Sequence, residues 1–226
     1  MRELVLDTET TGFEPAEGHR VVEIACLELV NHVQTGRHWR RYINPERDMP
    51  QGAFEVHGLS EEFLKDHPVF AEVADDFLEF IGEDKLVIHN AEFDMRFLNA
   101  ELGWIDKAAL PMTRAVDTLA MARQRYPGAP ASLDALCRRF GIDNSERTFH
   151  GALLDCQLLA EVYLELRGGQ QPGLQLAGSG KQGGGSNVKA ERRYREPRPH
   201  APSAEELEAH AKMLKGISDP IWLSDD

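Results

Sequence analysis

Two carboxylates stand at the end of the chain's first apolar run, where Leu4-Val5-Leu6 leads directly into Asp7-Thr8-Glu9. The run reads as a buried strand, and on a strand residues i and i+2 point to the same face. Asp7 and Glu9 therefore project together from the edge of a core. Like charges held that close repel, and something positive must compensate them. A divalent cation bound by oxygen ligands is one answer. An acidic strand end open to water is the other, and an isolated D-x-E leaves both standing.

The remainder of the chain supplies a frame for that strand. Glu3–Asp7, Arg20–Val30 and Arg37–Ile43 read as strands, with Val22, Ile24 and Leu27 as β-branched and apolar positions. Phe70–Ile81 is helical, because Val73, Phe77, Leu78 and Ile81 share one face. Leu86-Val87-Ile88 is a short buried strand. Helices are expected over Ala91–Leu102, Ala115–Tyr126, Ser132–Phe140 (Ser132 as N-cap) and Gly151–Arg167. Strands first, then strands interleaved with helices, predict an α/β fold: a mixed sheet flanked by helices.

Composition breaks at Gly168. Eight of the twenty residues 168–187 are glycine, so 168–200 reads as a flexible linker rather than more core. Its Gly178-Ser-Gly-Lys181 lacks the spacing and preceding strand of a phosphate loop. Ser203 with Glu206 three residues later is a capping box, and Leu207, Ala211 and Leu214 follow on one helical face with Gly216 at the C-cap position. A segment of this size cannot bury Ile217, Ile221, Trp222 and Leu223 by itself, so residues 201–226 are expected to dock on a partner, or else to fold back on the first domain. The expected division is thus a domain over 1–167, a linker over 168–200 and a short helical tail over 201–226.

A net charge of −13 does not suit a stand-alone, tight nucleic-acid binder. If nucleic acid is the substrate, affinity must come from metal ions, a local basic patch or a partner. Residues 181–200 carry six Lys or Arg against two Glu, which reads first as a solvated linker. Cys26, Cys137 and Cys156 form no metal-ligand or disulfide framework. The N-terminus lacks the pattern of a signal peptide, and no apolar run approaches membrane-spanning length. A soluble cytoplasmic protein with no membrane contact is expected.

Two further motifs join the first. Asn90-Ala-Glu-Phe-Asp94 follows the Leu86–Ile88 strand and opens the next helix, where α/β sheets place ligands. Taken singly, an Asp in a first helical turn is also favoured by the helix dipole. In His150-Gly-Ala-Leu-Leu-Asp155 the five-residue separation turns about 140° on a helix, so His150 belongs on the loop before the helix and Asp155 on its second turn. Leu154, Leu158, Leu159 and Val162 anchor that helix, and an acid beside such a stripe needs a partner.

Together, Asp7, Glu9, Asp94, His150 and Asp155 resemble, in order and setting, the DEDD superfamily of 3′→5′ exonucleases in its histidine branch. Val5–Gly12, Val56-His57-Gly58, Phe70–Asp75, Leu86–Ala91, Ser132–Cys137 and His150–Tyr163 are similar to the proofreading epsilon subunits of bacterial DNA polymerase III. The resemblance covers residues 2–167. It implies a ribonuclease H-like fold and hydrolysis with two Mg²⁺ or Mn²⁺ ions held by Asp7, Glu9, Asp94 and Asp155, with His150 as general base. Asp7, Glu9, Asp155 and His57 would contact the substrate, a DNA 3′ end, and each turnover would release a nucleoside 5′-monophosphate. Met49–Phe54 lacks an acidic residue that some relatives carry there, which bears on the sugar contacts; Phe54 and Phe93 read equally as core. The resemblance further implies that the tail binds the polymerase alpha subunit. Gln171, Leu174 and Leu176 have the Q-x-x-L-x-L shape of a sliding-clamp motif without its aromatic end, and a small theta-like subunit is a further implied partner. Two rivals stay open at this point: a stand-alone RNA-trimming exonuclease, and a catalytically silent tethering subunit.

Overall fold

β1 (Arg2–Thr10) divides its side chains between two apolar layers, Leu4 and Leu6 in one and Val5 in the other. A strand buried on both faces belongs at the centre of a sheet, and there it lies. The computed structural model describes residues 1–145, 149–169 and 201–218. β1 pairs antiparallel with β2 (Val21–Val30), which pairs antiparallel with β3 (Val33–Tyr42). On its other side β1 runs parallel to β4 (Lys85–Ile88), itself parallel to β5 (Ala115–Asp117). The order is β3-β2-β1-β4-β5.

Helices cover both faces. α1 (Gln51–His57) and α2 (Glu61–Leu64) follow β3. α3 (Phe70–Ile81) and α4 (Ala91–Trp104) pack Phe70, Phe77, Phe97 and Leu98 against Leu4, Leu6, Ile24 and Ile88. The opposite layer joins Val5, Ala25, Leu27 and Val87 to α5 (Thr118–Arg125), α6 (Leu133–Phe140) and α7 (Ala152–Leu166). α3 spans the residues its periodicity predicts, and Ser132 caps α6 by accepting the Ala135 N–H at 3.3 Å.

Several elements depart from expectation: β3 begins at Val33 rather than Arg37, and α2 was not expected. Ala115–Tyr126 is not one helix: Ala115–Asp117 completes the sheet as β5, and Asp117 then caps α5 by accepting the Leu119 N–H at 2.9 Å. A three-residue strand is too short to show a period of its own. α1 is a helix where none was expected, closed at Gly58 in the left-handed region (φ 71°), a conformation glycine adopts without steric cost. The first strand also runs three residues beyond Asp7, so both carboxylates sit within it.

The chain divides into two compact units, Met1–Leu176 and Ala177–Asp226. In the second, α8 (Ala204–Leu214) opens on the expected capping box: Ser203 Oγ accepts the Glu206 N–H at 3.2 Å and Glu206 Oε2 accepts the Ser203 N–H at 2.8 Å. Its closing residue is Lys215 rather than Gly216. Ile221, Trp222 and Leu223 lie outside the described residues. Among the described residues no helix is long and apolar enough to cross a membrane.

Candidate active site

The site is built from one strand and the starts of two helices. Asp7 pairs across β1–β2 with Ala25, and Glu9 with Glu23. Beyond Glu9 the register shifts, as strands often do beside functional sites. Thr8, on the alternate face, reaches α4: its backbone N–H (3.0 Å) and its hydroxyl (2.7 Å) both donate to Asp94 Oδ1. Asp94 stands in the first turn of α4, after Asn90 in the left-handed region (φ 66°), whose N–H donates to Asp117 Oδ1 at 3.2 Å. Asn tolerates that conformation better than most side chains.

α7 brings the third group. Asp155 donates its N–H to Gly151 O at 2.9 Å, so it lies in the first turn and not the second. The helix begins at Ala152, one residue later than the sequence pattern suggests, which moves Asp155 closer to its start. His150 precedes it on the loop, and its backbone N–H donates to Val56 O in α1 at 3.0 Å. His150 Nδ1 lies 3.6 Å from Asp155 Oδ2; the imidazole is 48% exposed while the Asp155 side chain is 4% exposed. Glu9, His150 and Asp155 each offer a ligand atom within 4.8 Å of the others.

These groups line a cleft of about 890 Å³. Asp7, Glu9, Asp94 and Asp155 form its acidic part, with His57 and His150 also lining it and Phe13 standing exposed. The electrostatics follow from crowding. Burial first, then the charges of Asp94, Glu9, Asp155 and Glu23, push the Asp7 carboxyl well above its ordinary range. Asp94 is pushed up to about 7, chiefly by burial, against the stabilising hydrogen bonds from Thr8. Burial likewise raises Glu23, with the Arg40 guanidinium opposing it. Four carboxylates converging under these conditions fit a hard divalent cation, which takes oxygen ligands and supplies the missing positive charge.

His57 is buried, and its Nδ1 accepts the Leu59 N–H at 3.0 Å. The neutral ring therefore carries its proton on Nε2. Burial lowers its pKa, and the His150 charge adds to that, while the Thr10 backbone opposes it. Phe54 is partly exposed on α1, and Phe93 packs on the α3–α4 core while lining the cleft. The five expected catalytic residues and His57 thus share one cleft. Gln171, Leu174 and Leu176 lie outside the described residues. Sequence reasoning missed Thr8, which holds Asp94, and Glu23, which faces Glu9 across the strands. Glu23 left a signal: it interrupts an otherwise apolar run, Val21-Val22-Glu23-Ile24-Ala25-Cys26-Leu27, and is 1% exposed.

Comparison with known proteins agrees with this geometry. The Exonuclease family matches residues 4–163. DNA polymerase III subunit epsilon of Rickettsia felis is 50% identical over 225 residues, covering 96% of this chain and 97% of that protein. The Escherichia coli K12 protein of the same name is 50% identical over 177 residues, covering 75% and 72%. Among solved structures, exonuclease X in complex with 5′ overhanging duplex DNA superposes with a TM-score of 0.56 at 24% identity, covering 72% of this chain and 89% of that one. The nuclease domain of 3′hExo, a DEDDh family member bound to rAMP, gives 0.61 at 17% identity, covering 74% and 91%. The likeness to these structures establishes the fold, the ribonuclease H-like sheet expected from the sequence.

Proposed function

The chain belongs to the DNA polymerase III epsilon family of exonucleases, and from that membership and its own site we propose that it proofreads, removing mispaired nucleotides from the 3′ end of a DNA primer. It is a 3′→5′ exonuclease, an associate of DNA polymerase III. The observation that carries the reading is the convergence of Asp7, Glu9, Asp94 and Asp155 in one cleft with His150 3.6 Å from Asp155.

Asp7, Glu9, Asp94 and Asp155 would hold two Mg²⁺ or Mn²⁺ ions. When bound, such ions lower the pKa of water and offset negative charge on a departing oxygen. The chain's own groups do the rest. His150, beside Asp155 on the rim, would take the proton of an attacking water. His57 would contact the terminal sugar or its 3′ hydroxyl. The cleft accepts a single-stranded end, and a mispaired terminus costs less to fray than a paired one. Selectivity for mismatches then needs no reading of bases.

The finer assignments follow the same reading. Residues 1–167 form the nuclease domain, 168–200 tether it, and 201–226 bind the polymerase alpha subunit in the cytoplasm. Gln171, Leu174 and Leu176 would touch the sliding clamp, and a small theta-like subunit is a further partner. A tether of this kind sets the effective concentration for switching between synthesis and editing. The test is Mg²⁺-dependent shortening of a 5′-labelled primer with matched or mismatched 3′ ends, beside an RNA strand. Stepwise, faster shortening of mismatched DNA is expected. Preference for RNA would move the protein to the trimming nucleases, and no cleavage with either metal would leave a tethering subunit.

A further inference from the structure

α7 delivers Asp155 and ends the loop that carries His150, yet it lacks a cap of its own. Its N-cap residue is Gly151, which has no side chain to offer the free N–H groups of the first turn. One of those groups is satisfied from elsewhere: the Ala152 N–H donates to Glu23 Oε2 at 3.4 Å, across 129 residues of sequence. The other carboxylate oxygen of Glu23 accepts from Arg40 Nε at 2.5 Å, and Arg40 also bonds the Tyr42 hydroxyl. The strand register makes this possible. Glu9, Glu23 and Tyr42 form one cross-strand row on the α7 face, and Asp7, Ala25 and Arg40 form the next. Ala25 between Asp7 and Arg40 leaves room for α7 to approach, and Cys156 Sγ lies 3.4 Å from Ala25 O.

We infer that Glu23 is a positioning residue for the nuclease site: its carboxylate, braced by Arg40 from the edge strand β3, caps α7 from β2 and so sets where Asp155 and His150 stand. A carboxylate at a helix N-terminus is also favoured by the helix dipole. An acid buried beside Glu9 and Asp7 is otherwise costly, and a purely structural core would be better served by an apolar side chain there. The inference rests on the exonuclease reading above.

That last contrast supplies the test, made on the full chain with the DNA primer and Mg²⁺. Glu23→Leu keeps the volume and removes the cap, and Arg40, 35% exposed at its side chain, can turn to water. The Leu variant should melt no lower than wild type yet show kcat about tenfold down, the size of a lost helix cap, with KM little changed. Glu23→Gln retains an oxygen for the Ala152 N–H and should recover most of the rate. Arg40→Leu removes the brace from the exposed side and should lower kcat by a smaller factor, which provides the test if Glu23→Leu does not fold. Wild-type kcat in Arg40→Leu and in every Glu23 variant that folds would overturn the inference. A wild-type chain that leaves the primer intact would instead sink the exonuclease reading itself.

Discussion

The carboxylate floor of the cleft and its histidine rim are built in opposite ways. On the floor, Asp94 is buried and takes two hydrogen bonds from Thr8, and Asp155 is buried at a helix start. On the rim, His150 stands half exposed on a loop tied by its backbone to Val56. The difference separates holding from reacting. Under the proposed roles, groups that would concentrate charge are fixed by sheet and helix before any ligand arrives, whereas the group that would exchange a proton with water stays open to it.

That contrast can be broken from either side. Asp7→Ala, at the centre of the floor, is expected to reduce primer cleavage to background and to weaken Mn²⁺ binding together, read by gel assay and calorimetry. His150→Ala should lower kcat by about 10²–10⁴-fold, the range for a lost general base, with Mn²⁺ affinity unchanged. Thr8→Val removes the hydroxyl bond to Asp94 at nearly constant volume. Hydrogen bonds to charged groups contribute about 1.5–3 kcal/mol, so a rate loss of about tenfold is expected, with the Asp94 carboxyl titrating higher still by carbonyl-carbon NMR.

The smallest effect is on the stability of the metal-free protein. Folding holds the Asp94 proton up to about pH 7, against an ordinary value of 3.8, so the folded chain binds a proton that the unfolded chain has released. Its contribution to stability therefore falls as pH rises between those two values and levels off above the higher one. Denaturation of the chelated protein should show that slope, and Asp94→Asn should flatten it. A slope of the opposite sign would mean that the floor does not crowd its charges as described.

Much of the floor was legible in the sequence because each acid closes a regular pattern: Asp7 and Glu9 end an apolar run, Asp94 follows a strand, and Asp155 precedes a leucine stripe. What was not legible came from pairings between distant segments. β5 is only three residues long and disappears into the helix pattern after it. Thr8 looks like a spacer until α4 is packed over it, and the role of Glu23 depends on the register of three strands and the start of α7. The start of α7 was placed one residue early, and Asp155 in the second turn rather than the first, because Gly151 could be read as either the first helical residue or the cap.

The division between floor and rim turns on one point, since Glu9, His150 and Asp155 lie close enough together for the imidazole itself to be a metal ligand. Calorimetric titration of the His150→Ala chain with Mn²⁺, beside wild type and Asp7→Ala, decides it. The expected result is wild-type affinity in His150→Ala with kcat nearly abolished, and lost affinity in Asp7→Ala. Loss of Mn²⁺ binding in His150→Ala to the same degree as in Asp7→Ala would contradict it and make the histidine part of the metal site.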